Sequence, residues 1–292
     1  MEYLLELKNV TKLYNNDKGI ENINLIVPEG KIIGIVGKSG VGKTTLLKTM
    51  INKVKKTKGE IYYYGEKLVQ NFKDIVREIG YVPQENPEDI DLTVKDLLSY
   101  TMSLYNIDFQ DEIDLYLRQF NLDPNSKVNT LSQGEMRILM FINAIYHKPR
   151  LLILDEITTG LDEYNKRIVK EIILRLKANN SSIILTSHDM SFINSIADSI
   201  YILKDKNITL LNKKETDHNY KLVTLTTSKY YTYDQFKLSG ISNLYINNNH
   251  ISFIYKKDMH TLIKFLYGFN IEDIVITNPN INDIIEDFER WN

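Results

Sequence analysis

The chain has 292 residues, of which 43% are apolar and 25% charged, and 36 basic against 38 acidic residues leave a formal charge of −2. This near-neutral balance disfavours a nucleic-acid binder that works by bulk charge. Because cysteine is absent, disulfides, thiolate nucleophiles and iron–sulfur clusters are excluded. The length predicts one large domain, alone or with a smaller appendage.

Neither the histidines nor the apolar runs indicate a zinc enzyme or a membrane span. The five histidines lack the paired helical spacing of a zinc hydrolase, so we expect no bound transition metal. They are His147, His188, His218, His250 and His260. The N-terminus lacks a signal pattern, and no apolar run reaches the ~18 residues that span a bilayer. We therefore expect a chain that is soluble by itself.

Strand-like runs alternate with helix-like runs over the first two thirds of the chain. The predicted strands are Leu4–Val10, Lys31–Val36, Glu60–Tyr64, Ile79–Val82, Leu151–Leu154, Ile183–Thr186 and Ile200–Leu203. The predicted helices are Thr44–Lys53, Val94–Asn106 and Glu163–Asn179. This alternation predicts an α/β fold in which helices cover a sheet.

From about Lys213 the sequence changes to short β-rich runs separated by polar turns, which predicts a small second α/β module. Its predicted strands are Tyr220–Thr226, Leu244–Ile246, Ile251–Tyr255 and Asp273–Thr277. Its predicted helices are Met259–Tyr267 and Asn280–Trp291, the latter with one apolar face. That face either docks on its own domain or binds a partner.

A glycine-rich motif lies between the second predicted strand and the first predicted helix. It consists of Gly37, Lys38, Ser39, Gly40, Val41, Gly42, Lys43 and Thr44, followed by Thr45. The pattern is G-x-x-x-x-G-K-[ST], whose backbone N–H groups and following helix N-terminus hold a phosphate chain. Lys43 is placed to reach the β- and γ-phosphates, and the Thr44 hydroxyl to bind Mg²⁺.

Two carboxylates, Asp155 and Glu156, follow the apolar strand Leu151–Leu154. Taken alone, they are equally well explained as solvated acids at a strand end. Beside a phosphate loop they face the nucleotide, since parallel strands deliver their C-terminal ends to one edge of the sheet. Asp155 is then suited to hold Mg²⁺ through water, and Glu156 to orient or deprotonate the attacking water.

The stretch Leu131-Ser132-Gln133-Gly134-Glu135 resembles the L-S-G-G-Q signature of the ATP-binding-cassette (ABC) family. The other landmarks of that family occur in the expected order. They are Tyr14, Gln84 in Tyr81-Val82-Pro83-Gln84, Gly160-Leu161-Asp162 and His188 in Thr186-Ser187-His188-Asp189. The resemblance covers about residues 1–212.

The resemblance implies a P-loop NTPase fold of the ABC type for residues 1–212. Such a domain has a RecA-like core, an antiparallel β subdomain and a helical signature subdomain, here at about residues 85–148. Residues 213–292 then form a small C-terminal accessory or regulatory domain.

The resemblance also implies a role for each landmark, beside which a purely structural role is open. Tyr14 either stacks on adenine or packs at a strand end. Gln84 either contacts Mg²⁺ or the attacking water, or it is simply a surface amide. His188 contacts the γ-phosphate or is a capping or core histidine. Asp162 caps a helix and also communicates across a dimer. The signature residues Ser132, Gln133, Gly134 and Glu135 cover the ATP that is bound by a second cassette.

Three positions depart from the family pattern. Gln133 replaces a signature glycine, Glu135 replaces the closing glutamine, and Ile157 stands where proline is common. Ser132 and Glu135 still satisfy a capping box, so we expect a helix to begin there. A carboxylate beside a phosphate weakens closure in part, and the helix N-terminus offsets some of its charge.

The function that the resemblance implies is hydrolysis of ATP, with Mg²⁺ as the metal ion. The resemblance also implies a homo- or heterodimer of cassettes that is coupled to a separate transmembrane permease. Nucleic acid is not expected as a partner. The permease inserts a short helix beside the glutamine loop, from Gln84 to about Tyr100, which places the chain at the cytoplasmic face of the membrane. The tail Pro279-Asn280-Ile281-Asn282-Asp283-Ile284 resembles that of ABC-2 type exporters of drugs and antibiotic or toxin peptides. A regulatory cassette with little hydrolysis and a soluble non-transport ABC protein are the alternatives.

Overall fold

The computed structural model describes residues 3–15, 18–68, 75–85, 87, 90–105, 110–211 and 220–279. Contacts along the backbone divide the chain into two compact units, Met1–Leu210 and Leu211–Asn292. Each unit has its own sheet system and its own buried apolar cluster.

The first sheet of the N-terminal unit is antiparallel. Its strands are β1 (Tyr3–Leu13), β2 (Gly19–Pro28), β4 (Lys58–Tyr63) and β5 (Glu66–Lys67), in the order β2-β1-β4-β5. In β2 the side chains of Ile23, Leu25 and Val27 are buried and alternate with exposed ones, the period of two expected when one face of a strand is covered. This strand was not predicted from the sequence, because Glu21 and Asn22 interrupt its apolar pattern.

The second sheet carries the candidate site. Its strands are β3 (Ile32–Val36), β6 (Ile79–Val82), β7 (Leu151–Leu154), β8 (Ser182–Thr186), β9 (Ser199–Lys204) and β10 (Asn207–Leu211). The order is β10-β9-β3-β8-β7-β6, and β9, β3, β8, β7 and β6 run parallel. Since β3, β7 and β8 are buried along their whole lengths, they read as continuous apolar runs in the sequence.

The described helices of this unit lie between its strands along the chain and are numbered in chain order. They are α1 (Lys43–Met50), α2 (Val94–Tyr105), α3 (Gln110–Gln119), α4 (Gln133–Ile145), α5 (Glu163–Ala178) and α6 (Met190–Ile196). Strand β6 approaches α4 so closely that a Cβ on Gly80 would lie 2.1 Å from the carbonyl oxygen of Ala144. Only glycine therefore fits at that point of the strand. The α/β fold expected from the sequence is confirmed.

In its described residues, 220–279, the C-terminal unit has a four-stranded antiparallel sheet with a helix between its last two strands. The strands are β11 (Lys221–Thr227), β12 (Ile241–Asn247), β13 (His250–Tyr255) and β14 (Ile271–Thr277), in the order β12-β13-β11-β14, and the helix is α7 (Met259–Leu266). Phe236, from a 3₁₀ turn, contacts the rings of Phe253, Phe265 and Phe269. Val223 and Leu225 complete this core.

Several predicted elements match the structure, and some were missed. Helices α3 and α6 and strands β2, β5 and β10 were not predicted, and β14 begins two residues earlier than expected. Strand β12 is longer than predicted because the polar residues Ser242 and Asn243 belong to it. The predicted helix Asn280–Trp291, with nearly all of the exporter-like tail, lies outside the described residues.

Candidate functional site

The phosphate loop connects the end of β3 to the start of α1. Gly37, Gly40 and Gly42 have φ values of 153°, 77° and 115°, all in the region that favours glycine. A Cβ on Gly37 would also lie 2.3 Å from the carbonyl oxygen of Leu203. The motif glycines are therefore required by the path of the backbone around the loop.

Lys43 holds its ammonium group inside this loop. Its side chain is only 7% exposed, and Nζ donates hydrogen bonds to the carbonyl oxygens of Gly37 (2.7 Å) and Lys38 (3.2 Å). The same Nζ lies 3.7 Å from Oε1 of Glu156. The positive charge of Lys43 thus lies between the loop and the carboxylate that follows β7.

Glu156 is nearly buried, with 3% of its side chain exposed, and its backbone is left-handed (φ 55°). Its Oε2 accepts the backbone N–H of His188 at 3.1 Å, and its Oε1 lies 3.2 Å from Nε2 of His188, whose side chain is 61% exposed. Left-handed backbone in a residue other than glycine is costly and is concentrated at functional sites. The carboxylate is held between a lysine and a histidine, facing the phosphate loop.

Oxygen atoms suited to Mg²⁺ lie at the start of α1 and directly after β7. The Thr44 hydroxyl donates to Oε1 of Gln84 at 3.1 Å. Asp155 is fully buried: its Oδ1 accepts from the Thr186 hydroxyl at 2.8 Å, and its Oδ2 has no hydrogen-bond partner among the described residues. Among the described residues, no cluster of three or more His, Cys, Asp or Glu could hold a metal ion. Mg²⁺ is typically held by one or two carboxylates together with phosphates, so this set of donors fits it.

A cavity of about 160 Å³ joins these groups. Its walls are formed by Ser39, Gly40, Gly42, Lys43, Thr44, Thr45, Gln84, Glu156 and His188. The predicted loop, glutamine, glutamate and histidine are thus brought together by the fold. Gly37, Lys38 and Val41 belong to the loop but do not line this cavity, and neither does the fully buried Asp155.

Tyr14 lies just after β1 and does not line the cavity. Its ring is 43% exposed, and Nζ of Lys12 lies 4.8 Å from the ring centre. The ring is therefore accessible to a planar ligand such as a nucleobase.

The signature residues begin α4, also away from the cavity. Ser132 is the N-cap: its hydroxyl accepts the N–H of Glu135 (3.3 Å), while the Glu135 carboxylate accepts from the N–H (2.8 Å) and the hydroxyl (2.7 Å) of Ser132. These bonds hold the pKa of Glu135 below its ordinary value, against a smaller opposing effect of burial. The capping box expected from the sequence is confirmed. Gln133 is exposed at the first position of the helix.

Gly134 packs against the turn that precedes α5. A Cβ on Gly134 would lie 2.5 Å from the carbonyl oxygen of Gly160. Asp162 ends this turn and caps α5 by accepting the N–H of Asn165 at 2.8 Å. The expected cap is confirmed. The close approach to Gly160 explains why glycine is needed at position 134. Position 133 is exposed and therefore has room for Gln.

Sequence reasoning missed Arg137, which is only 1% exposed. Its guanidinium donates to the carbonyl oxygens of Pro83 and Gln84, the latter at 2.7 Å. Burial lowers the pKa of Arg137, and the nearby Asp155 and Glu156 oppose that effect. The available signal was a charged residue within the apolar run that forms the buried face of α4.

The parallel sheet, the phosphate loop and the carboxylates at its edge define the class of this protein, a nucleotide-binding P-loop protein. The family described as ABC transporter matches residues 20–159. An uncharacterized ABC transporter ATP-binding protein, YhaQ of Bacillus subtilis, is 33% identical over 206 residues, which cover 69% of this chain and 68% of YhaQ. The bacitracin transport ATP-binding protein BcrA of Bacillus licheniformis is 31% identical over 221 residues, which cover 75% of this chain and 72% of BcrA. The chain belongs to the ATP-binding subunits of ABC transporters.

A solved structure titled "Structure of ATP binding subunit of ABC transporter" shares the fold. The TM-score is 0.67 at 24% identity, over 73% of this chain and 91% of that one. Two other relatives are named for import: the zinc import ATP-binding protein ZnuC of Pasteurella multocida and the xylose import ATP-binding protein XylG of Histophilus somni. In the described part of this chain, every helix is too short or too polar to cross a membrane.

Proposed function

We propose that this subunit hydrolyses ATP to ADP and phosphate, as the motor of a bacterial exporter whose membrane-spanning part is a separate chain. The observation that carries the proposal is the position of Glu156, a buried carboxylate between Lys43 and His188 that faces the phosphate loop. A general base must lie within hydrogen-bonding reach of the water that it activates, and this edge of the sheet supplies such a position.

The residues of the site have separate chemical tasks in this proposal. The ammonium of Lys43 exchanges its contacts with the loop carbonyls for contacts with phosphate oxygens, and Glu156 accepts a proton from the attacking water. His188 donates a hydrogen bond to the terminal phosphate from its exposed ring. Mg²⁺, when bound near Thr44, Gln84 and Asp155, supplies positive charge that neutralises the phosphates. Tyr14 stacks on the adenine.

A dimer completes the site in this proposal. Ser132, Gln133, Gly134 and Glu135 lie at the N-terminus of α4, where helix N–H groups favour an anion. These residues are absent from the walls of the cavity in their own chain, so we assign them to the ATP bound by a second subunit, a copy or a relative. Asp162 would face the same partner.

A second cavity supports coupling to a membrane subunit at the cytoplasmic face of the membrane. It has a volume of about 280 Å³ and lies beside β6, with the rings of Tyr81, Tyr105 and His147 in its walls. The Tyr105 and His147 rings stack at 4.5 Å, and Nζ of Lys53 lies 4.7 Å from the centre of the Tyr81 ring. Because it lies beside β6, which leads through Pro83 directly into Gln84, we assign it to side chains of a partner protein.

The direction of transport is also part of the proposal. Thr159-Gly160-Leu161-Asp162 and the exporter-like tail favour export, and BcrA is named for bacitracin transport. The names for zinc and xylose import show that the family serves both directions. The family comparisons do not support the alternative of a soluble ABC protein without a transport partner, because they are with transporter subunits.

One observation favours a regulatory cassette with little hydrolysis as the second candidate. The Ser132 hydroxyl is already donated to the Glu135 carboxylate, so it must leave that carboxylate to reach a phosphate. ATPase rates with and without a co-expressed membrane subunit separate the two candidates. A rate that stays near zero in both conditions favours the regulatory cassette.

The test of hydrolysis uses Glu156→Gln, with Glu171→Gln, on the exposed side of α5, as the matched control. We expect Glu156→Gln to bind ATP normally but to turn over roughly 10²–10⁴-fold more slowly, the usual contribution of a general base. Lys43→Ala should instead weaken ATP binding in an equilibrium titration. Unchanged hydrolysis in Glu156→Gln would remove this residue from its assigned role.

A further inference from the structure

The last residue of β8 and the three residues that follow it each contact the chain that follows β7. The Thr186 hydroxyl donates to Asp155 and accepts the N–H of Glu156, and His188 contacts Glu156 as described above. Two further contacts have no part in the chemistry proposed so far. The hydroxyls of Thr158 and Ser187 lie 2.5 Å apart, and Nζ of Lys166 lies 2.8 Å from Oδ2 of Asp189.

The Thr158–Ser187 pair is shielded from water, with 7% of Thr158 and 3% of Ser187 exposed. Ser187 Oγ also accepts the N–H of Asp189 at 2.9 Å, so the hydroxyl network includes the residue after His188. Neither hydroxyl-bearing residue lines the cavity. The pair is therefore buried inside the protein and does not form part of the walls of the site.

The sequence positions of this pair match those of the site residues. Thr158 follows Glu156 by two residues, and Ser187 precedes His188 by one. A hydrogen bond between the two hydroxyls therefore limits how far the Glu156 segment and the His188 segment can separate. This matters because the His188 ring is mostly exposed, so few contacts of its own hold it in place.

The ion pair between Lys166 and Asp189 forms a second connection on the far side of His188. Burial raises the pKa of Asp189, but hydrogen bonds from Lys166, Ser191 and the N–H of Phe192 outweigh this effect and lower it to about 2. Asp189 is thus charged at neutral pH and caps α6. Lys166 belongs to α5, the helix that begins after Asp162.

We propose that the Thr158–Ser187 hydroxyl pair is a positioning element that holds His188 against Glu156, with the Lys166–Asp189 pair as its support from α5. This proposal rests on the hydrolytic function proposed above. Thr158 and Ser187 act through Glu156 and His188 and touch neither nucleotide nor water. A displacement of about 1 Å in such a geometry costs on the order of 10²-fold in rate, so their loss should be measurable in turnover.

The experiment compares two substitutions of the same residue in the full chain. Thr158→Val keeps the shape of the side chain and removes the hydroxyl, while Thr158→Ser keeps the hydroxyl. We expect Thr158→Val to lower kcat by about 10- to 100-fold with KM for ATP changed less than about threefold, and Thr158→Ser to stay within about threefold of wild type in both. Ser181→Ala is the control, since its buried hydroxyl donates to the carbonyl of Pro149 near the opposite end of β8.

A second measurement does not depend on activity. The N–H groups of His188 and Asp189 are bonded to Glu156 and Ser187, so hydrogen exchange of a peptide that covers residues 186–189 reports on this segment in the nucleotide-free protein. We expect exchange about tenfold faster in Thr158→Val, and unchanged exchange of this peptide in Ser181→Ala and Thr158→Ser. Ser187→Ala removes the same bond from the other side together with the acceptor of the Asp189 N–H, so its loss of kcat and its gain in exchange should be at least as large as in Thr158→Val. Adding Thr158→Val to Ser187→Ala should give no further loss.

Three outcomes would overturn the proposal: Thr158→Val with wild-type kcat and exchange, equal losses in Thr158→Val and Thr158→Ser, or additive losses in the double variant. If Thr158→Val fails to fold, Ser187→Ala alone decides by the same two measurements. A wild-type chain without ATPase activity would refute the proposed hydrolysis, while the exchange measurement would still test the positioning pair.

Discussion

The contact between Gly134 and Gly160 gives the sharpest prediction about the signature helix. In Gly134→Ala the new Cβ would lie 2.5 Å from the carbonyl oxygen of Gly160, whereas real Cβ contacts essentially never fall below 3.0 Å. The obstacle is backbone, which cannot rotate away as a side chain does. The start of α4 and the turn before α5 must therefore separate by at least 0.5 Å.

The size of the effect follows from this displacement. Overpacking of this kind costs about 1–3 kcal/mol of stability. A shift of half an ångström in the turn that connects Glu156 to Asp162 should lower kcat by about tenfold, by interpolation from roughly 10²-fold for 1 Å. We expect both effects together in Gly134→Ala.

The assay combines urea unfolding with steady-state ATP hydrolysis on the full chain. Gly268→Ala is the matched control, because its added Cβ has the carbonyl oxygen of Phe265 as nearest neighbour at 3.6 Å, an ordinary contact. We expect the control to keep wild-type stability and rate. Wild-type values for both quantities in Gly134→Ala would show that this reasoning about the signature glycine is wrong.

Three further predictions concern stability and closure. In wild type, burial lowers the pKa of His147 from 6.5 to about 4, so the unfolded chain takes up the proton first as the pH falls. The free energy of unfolding should therefore drop by about 2 kcal/mol between pH 7 and pH 5. Urea unfolding of His147→Phe should lack this contribution to the pH dependence. Arg137→Met leaves the carbonyls of Pro83 and Gln84 without their donors and should cost about 1–3 kcal/mol in urea unfolding; a variant as stable as wild type would contradict this role. Glu135→Gln replaces a charge-assisted hydrogen bond with a neutral one, so the Ser132 hydroxyl is released more easily. In a Glu156→Gln background with Mg²⁺ and ATP, size-exclusion chromatography should then show more dimer, and less dimer would refute the argument.

The parts of this site that could be predicted are those encoded within a few consecutive residues. The phosphate loop needs glycine where φ is positive, and the capping box needs Ser132 and Glu135 three residues apart, so both are visible in the sequence. The buried parallel strands were visible for the same reason, as short continuous apolar runs.

The parts that were missed depend on contacts between distant segments. Arg137 meets Pro83 across 54 residues of chain, and Thr158 meets Ser187 across 29. Which distant segments meet is decided by the order of strands in the sheet, where β8 lies between β3 and β7. Strand β2 was missed because Glu21 and Asn22 are exposed in succession and the apolar Ile26 is also exposed, which interrupts the alternation of apolar and polar residues.

The two glycine contacts of α4 have a mechanical consequence. Near its start the helix touches the turn at Gly160 through Gly134, and in its last turn Ala144 touches Gly80 of β6. Both contacts are backbone against backbone, without a deformable side chain between them. We therefore expect a displacement of this helix to move the turn before α5 and strand β6 along with it.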